Sequence, residues 1–303
     1  MTRVATIPLQ RTLASAMSRA QEKLAATQLQ LNTGKKASTF ADLGTESVRN
    51  LSAHTLLARQ DAQSTVSKRV GTTLSLYQAN MEGMEDAVSD LRTTLMNAVG
   101  TGDTAGLQDA IQTAFDQYRT SLNASEGGTP LFGGGQIDQA PFSVDTLAQA
   151  ATTPGTAAFH NDTVRSNARV AEGVDVSYGI GASEIGASLY EAFRTLGAAG
   201  DIGMKATDAQ IDSIKQAVAQ LDTGLGDLRT VNAENGRKQN QVDTLTARGE
   251  DRALVLKGVI QDNEDADLGQ VAIDLSQQKT VLEASYSVFS QLSGLSLVNF
   301  INN

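Results

Sequence analysis

The sequence predicts a mainly α-helical protein, in which both chain ends form a long coiled-coil and bundle hairpin around a small β-rich central insert. Three observations carry this prediction. Apolar residues recur at helical spacing in both flanks. Three of the four prolines lie together at Pro130, Pro141 and Pro154, which leaves 9–129 and 155–303 free of this helix-breaking residue. Most aromatic residues fall between Phe115 and Phe193.

The composition excludes several classes of function. The chain has 303 residues, a net charge of −10 and no cysteine. Its acidic balance argues against a nucleic-acid partner, and the lack of cysteine excludes disulfides and thiolate metal sites. No apolar run is long enough for a membrane span, and we expect no Sec signal peptide. Composition alone is typical of a cytoplasmic protein.

The first helix carries a narrow apolar seam with the spacing of a coiled coil. Its residues alternate in steps of four and three: Leu13, Met17, Ala20, Leu24, Thr27 and Leu31. Gly34, within "NTGKK" (32–36), is well placed to end this helix. A second apolar run extends from Val66 to Val99 and ends at "GTGD" (100–103), and a third helix is expected at about 105–124.

The C-terminal half repeats this pattern. Thr207 and Gln210 fit a capping box, and the helix they begin continues toward Ile260. After the acidic run "DNEDAD" (262–267), in which Asp265 or Asp267 would cap the next helix, a last helix is expected. It carries the apolar residues Leu268, Val271, Leu275, Leu282, Phe289 and Leu292. Such narrow stripes need partners, which either a closed monomeric bundle or an assembly of several copies would supply.

The centre shows the alternation of a β-hairpin. Apolar and polar residues alternate in 164–170 and again in 174–180, and Glu172-Gly173 lies between them as a turn. The stretch 130–144 is expected to form loops and a short strand.

No catalytic or cofactor-binding pattern stands out. The glycines of 174–193 fail the dinucleotide fingerprint, because Glu184 occupies the position of its third glycine. His54 and His160 lie on separate predicted elements. The acidic run 262–267 lacks the spacing of a calcium loop. We therefore predict a protein that is not an enzyme and that holds no cofactor and no metal.

Four stretches resemble the bacterial flagellin family, and most of all its hook–filament junction members. In "LQLNTGKKASTFADLG" (29–44), residues 31–36 match the Leu-Ser-Thr-Gly-Lys-Arg pattern at Leu31, Thr33, Gly34 and Lys35. Of the acidic pair that follows in the family only Asp42 is present, and the proline after it is absent. "LFGGGQIDQAPFS" (131–143) is similar to the junction proteins' Phe-x-Gly…Pro-Phe segment. "TVNAENGRKQNQVDTL" (230–245) resembles one of their helices, with Asn232 in place of arginine.

The fourth stretch, "NEDADLGQVAIDLSQQKTVLEASYSVFSQLSGLSL" (263–297), is similar to the closing helix of the family. The Ala-Ser-Tyr at 284–286 and the Leu-Ser-Leu at 295–297 favour the junction proteins over the filament flagellins.

The resemblance implies three layers. Residues 1–35 and 265–303 would form an inner coiled-coil domain that lines a tube, 36–129 and 190–264 a helical bundle, and 130–189 a small β-rich outer domain. It also implies an assembly interface in the inner layer, in which the N-terminal helix meets the last helix and neighbouring copies. The predicted interface residues are Leu13, Met17, Leu24, Leu31, Leu275, Leu282, Phe289, Leu292, Leu295, Leu297 and Phe300.

The function implied by the resemblance is a structural junction subunit between the flagellar hook and the filament. Its implied partners are further copies of itself in a ring or tube, a neighbouring hook-associated protein, flagellin, the flagellar type III export apparatus and an export chaperone. The implied location is the extracellular flagellum, reached without cleavage of a signal. A filament-forming flagellin is the alternative within the family, and a cytoplasmic adaptor bundle is the alternative outside it.

Overall fold

The computed structural model describes the backbone of residues 3–301 and the side chains of residues 11–291. The helices are α1 (Arg3–Thr33), α2 (Ser47–Thr101), α3 (Leu107–Leu122), α4 (Leu147–Thr152), α5 (Gly155–Ala158), α6 (Ala182–Ala198), α7 (Asp208–Glu264) and α8 (Leu268–Ile301), with a 3-10 segment at Phe40–Glu46. The strands are β1 (Ser125–Glu126), β2 (Thr129–Pro130), β3 (Ser166–Ala171) and β4 (Val174–Tyr178). The predicted class, mainly α with a small β insert, is confirmed.

The helix ends follow the signals in the sequence. Gly34 adopts a φ of 68° after α1, and its N–H donates to the carbonyl of Gln30 over 2.8 Å. Thr207 and Gln210 bond reciprocally at the start of α7, over 3.0 and 3.3 Å. Asp267, rather than Asp265, caps α8 by accepting from two backbone N–H groups over 2.9 and 3.1 Å.

The chain divides into two compact units. We call Met1–Arg59 with Arg252–Asn303 the terminal unit, and Gln60–Asp251 the central unit. The helices α2 and α7 contribute residues to both. The three-layer division expected from the resemblance stays a prediction.

In the central unit, α2 and α7 run antiparallel. The Asn235 amide donates to the carbonyl of Leu74 over 2.9 Å, and Arg229 on α7 donates to Glu85 on α2 over 2.6 Å. Arg92, further along α2, pairs with Asp222. The apolar run predicted for the second helix faces this interior and is buried from Val70 to Leu95.

The aromatic residues of the middle of the sequence form the core of the central unit. Phe115, Tyr118, Phe142 and Phe193 are at most 1% exposed, and their rings contact one another edge-on, stacked or tilted with centroids 5.0 to 6.3 Å apart. The Tyr118 hydroxyl donates to the carbonyl of Gly186 over 2.9 Å, which satisfies its buried polar atom.

The predicted hairpin is present as β3 and β4. They pair antiparallel from Ser166 opposite Tyr178, with an irregularity between Arg169 and Ala171, and Gly173 takes the left-handed turn position with a φ of 71°. Elsewhere in 130–189, the backbone forms loops, the short helices α4 and α5, the end of β2 and the start of α6.

Candidate assembly interface

Within the terminal unit, α1 and α8 pack antiparallel against each other. Thr27 donates to the Gln278 side chain over 3.0 Å, and the Gln21 amide donates to the Tyr286 hydroxyl. Thr27 is only 7% exposed, although it is polar, because this bond satisfies it inside the seam. The coiled-coil spacing of the sequence therefore corresponds to a real pairing of the two helices.

The described members of the predicted interface differ in their burial. Leu13, Met17, Leu24, Leu275 and Phe289 are half-buried. Leu282 is buried at 9% exposed, and Leu31 is exposed at 37%. The side chains of the other four lie outside the described residues: Leu292, Leu295, Leu297 and Phe300. The role of all eleven residues in assembly stays a prediction.

The terminal unit has little core of its own. The large cluster of buried apolar side chains belongs entirely to the central unit and extends from Val70 to Val242. Among the described side chains of the terminal unit, the buried apolar residues are only five: Ala53, Ala253, Ile260, Val271 and Leu282. Fully burying a Leu-sized side chain contributes about 1.5–3 kcal/mol, so a half-buried seam leaves much of this stabilisation unused.

Exposed apolar side chains concentrate in the same unit. Among the described residues, seventeen large apolar side chains are exposed, and twelve of them belong to the terminal unit although it is the smaller of the two. They are Leu29, Leu31, Phe40, Val48, Leu51, Leu254, Val255, Leu268, Ile273, Val281, Tyr286 and Val288. Apolar surface concentrated in this way is typical of an interaction site.

Part of this exposed apolar surface is a second stripe of apolar residues along α8. Ile273, Val281 and Val288 lie on one side of the helix and are 62%, 53% and 48% exposed. The seam positions alone do not reveal this stripe, and the predicted interface does not include it. The signal was present, since a helix that is apolar on more than one side is normally covered on more than one side.

A groove runs between α1 and α8 and includes two residues of this stripe. It encloses about 320 Å³ and is lined by Leu13, Ala16, Met17, Val281, Ala284, Ser285 and Val288. Three of these residues are small, Ala16, Ala284 and Ser285, and they leave room in the groove for apolar side chains of another helix.

The carboxylate of Glu264, at the end of α7, contacts side chains from the first part of α2 and from the segment after α1. It accepts from Asn50 Nδ2 over 2.6 Å and from Lys35 Nζ over 3.3 Å, and His54 Nε2 lies 2.6 Å away. These hydrogen bonds, that of Asn50 above all, lower the pKa of Glu264 to about 2. We call Glu264 with Lys35, Asn50 and His54 the Glu264 cluster.

Backbone hydrogen bonds reinforce the same corner. The N–H of Lys36 donates to the carbonyl of Glu264 over 2.6 Å, and the N–H of Ala266 donates to the carbonyl of Gly34 over 2.8 Å. Lys35 also bonds Asp265 over 2.6 Å, which raises the pKa of the lysine. The end of α1 is thereby fastened to the junction of α7 and α8.

The sequence does not predict the Glu264 cluster, because Glu264 stands out there only as part of the acidic run 262–267. Glu264 lies 210 positions from His54 in the sequence, and no local pattern connects them.

Neither a metal-binding group nor a membrane span is found in the described part of the chain. It holds no group of three or more histidine, aspartate or glutamate side chains arranged to bind a metal ion. None of the described helices combines the length and the apolar character that a membrane span requires.

Comparison with known proteins gives relatives over most of the chain. Flagellar hook-associated protein 3 of Escherichia coli (strain K12) is 26% identical over 259 residues, which are 78% of this chain and 80% of that protein. Flagellar hook-associated protein 3 of Salmonella typhimurium (strain LT2) is 24% identical over 295 residues, 88% of this chain and 90% of that protein. No family model matches the sequence.

A solved structure confirms the fold. A protein from Vibrio parahaemolyticus, described as a flagellar hook-associated protein, superposes with a TM-score of 0.62 at 17% identity, covering 74% of this chain and all of that one.

Proposed function

Because this chain is a relative of flagellar hook-associated protein 3, we propose that it is a structural subunit of the bacterial flagellum that joins the hook to the flagellin filament. The observation that carries the structural part of this proposal is the exposed apolar surface of the terminal unit. A monomer gains nothing from such a surface, whereas a subunit that is surrounded by copies of itself buries it.

The mechanism we propose is geometric. The seam between α1 and α8 holds the hairpin together, and the second stripe of α8, with the groove beside it, contacts neighbouring subunits. Ile273, Val281 and Val288 are each about half-exposed, so covering them would contribute roughly 1 kcal/mol apiece. Such heterologous contacts, repeated around an axis, would close a ring or continue as a tube.

The remaining parts of the proposal come from the resemblance. The inner layer would include the seam residues and also Leu292, Leu295, Leu297 and Phe300. A neighbouring hook-associated protein and flagellin would flank the assembled copies. Delivery to the extracellular flagellum would use the flagellar type III export apparatus, with an export chaperone for the apolar last helix.

The second candidate is a filament-forming flagellin with the same fold. The Ala-Ser-Tyr at 284–286 and the Leu-Ser-Leu at 295–297 favour the junction protein, as does the Pro-Phe pair at 141–142.

The experiment is to delete the gene from its host and to examine the cells by electron microscopy while assaying the medium for flagellin. Bare hooks with monomeric flagellin in the medium are expected for a junction protein. If the deletion instead shortens or abolishes filaments, and those of the parent strain consist of this protein, the protein is a flagellin. Normal flagella would refute both and favour the adaptor.

Variants in the deletion strain test the interface itself. Val281→Asp places a charge on the second stripe and is expected to leave the cells with bare hooks, although the protein still reaches the medium. Met204→Asp is the matched control, because Met204 is 80% exposed but lies in the central unit. The interface is wrongly placed if both variants restore filaments equally well.

A further inference from the structure

Asn235 and Gly236 form the one Asn-Gly pair in the sequence, and they lie inside α7. Asn235 is 2% exposed, and its Nδ2 donates to the carbonyl of Leu74 on α2 over 2.9 Å. A Cβ atom built on Gly236 would meet nothing within 4 Å. Packing therefore does not require glycine here, and glycine in a helix interior costs about 1 kcal/mol relative to alanine.

This pair of residues has a chemistry of its own when the backbone is free. The backbone nitrogen of Gly236, after losing its proton to a base in the solvent, attacks Cγ of Asn235. A new C–N bond closes a five-membered succinimide, the bond from Cγ to Nδ2 breaks, and the Nδ2 group takes up a proton from the solvent and leaves as ammonia. Water then opens the ring at either carbonyl, which leaves an aspartyl or an isoaspartyl residue. Glycine permits the attack because it has no Cβ in the way and its backbone is flexible.

The fold removes each requirement for this reaction. Inside α7 the Gly236 N–H belongs to the helical hydrogen-bond ladder, and the backbone angles are fixed. The Asn235 amide is held by Leu74, and the side chain is shielded from water. We propose that Asn235-Gly236 is a deamidation site that is silent in the folded central unit and active in the unfolded chain.

The product would not fit the folded structure. An aspartate carboxylate at 235 cannot donate to the Leu74 carbonyl, and it would be buried there facing another oxygen. An isoaspartyl residue would add a methylene to the backbone and interrupt α7. Deamidation would therefore record the time that a chain has spent unfolded, and would remove that chain from the pool able to refold.

The test compares the purified full-length chain in the folded state with the same chain in concentrated guanidinium chloride, both at mildly alkaline pH. Peptide mass spectrometry follows the amide at 235, and circular dichroism after dilution measures the fraction that refolds. Folding is expected to slow the reaction by a factor of about 1,000 or more, since the unfolded population is correspondingly small. The refolding yield of the unfolded sample should fall in step with the loss of the amide.

Gly236→Ala is the matched control, because the added methyl group has open space in the structure. Its unfolded chain should deamidate several-fold more slowly and keep its refolding yield. Asn235→Asp, made directly, should unfold at lower denaturant than the wild type. Equal deamidation of folded and unfolded wild type would overturn the proposal. So would an Asn235→Asp variant of wild-type stability, or an alanine control that reacts as fast as the wild type.

Discussion

Replacing Glu264 with glutamine tests how the terminal unit is held together. The substitution keeps the shape of the side chain. It replaces the negatively charged carboxylate, which is hydrogen-bonded to Asn50, Lys35 and His54, with a neutral amide. The ordinary pKa is 4.5 and the folded value is about 2, a difference that corresponds to about 3 kcal/mol. The partners at Lys35 and His54 are about 40% exposed, so solvent screens part of this energy. We expect the variant to lose about 1–2 kcal/mol.

The measurement is amide hydrogen exchange in peptides that cover 36–59 and 252–267, compared between the two proteins at neutral pH. A loss of 1–2 kcal/mol would accelerate exchange about 5- to 30-fold. Because the folded pKa of Glu264 lies below the unfolded one, its contribution is complete above pH 4.5 and is lost as the pH falls toward 2. The difference between the two proteins should therefore vanish over that interval.

Asp265→Asn is the control for this experiment. Asp265 also bonds Lys35, but its side chain is 47% exposed, and exposed ion pairs contribute about 0–1 kcal/mol. Unchanged exchange in Glu264→Gln, or an equally strong effect in the control, would contradict the role assigned to Glu264. So would a difference between the two proteins that persists near pH 2.

Three further predictions concern the central unit. Gly186→Ala should lower its stability by about 1–3 kcal/mol, because the new Cβ would lie 2.8 Å from the Tyr118 hydroxyl oxygen; urea unfolding with no change of midpoint would contradict this. Gly226→Ala should raise the stability by up to about 1 kcal/mol, since a Cβ there meets nothing within 4 Å. Thermal unfolding should show a higher Tm, and a lower Tm would contradict the open space at this position. Brief proteolysis of the monomer should remove the terminal unit first and leave a fragment close to Gln60–Asp251, because the large apolar core lies within that range. Mass spectrometry identifies the resistant fragment, and early cleavage within Gln60–Asp251 would contradict the prediction.

The local features of the fold could be predicted because their causes are local. The glycine after α1, the capping box of α7 and the alternation of β3 and β4 each depend on a few adjacent residues. The seam could be predicted as well, since Leu13 and Leu282 belong to regular coiled-coil spacings.

Contacts between distant segments could not be predicted. The meeting of Asn50 and Glu264 depends on where long helices end and turn, and one sequence contains no sign of it. The second stripe of α8 is visible in the sequence as apolar residues. That Ile273, Val281 and Val288 remain exposed follows only once the structure shows which other side of α8 packs against α1.

The helices α2 and α7 are each shared by a unit with a large core and a unit with almost none, and this has a calorimetric consequence. Heating should melt the chain in two steps, so that a single Tm would not describe it. In the first step both helices would fray from their ends in the terminal unit, and fraying would stop where the large apolar cluster of the central unit begins, near Val70 on α2 and Val242 on α7. The protein would thus pass reversibly through a state with molten ends and a native centre.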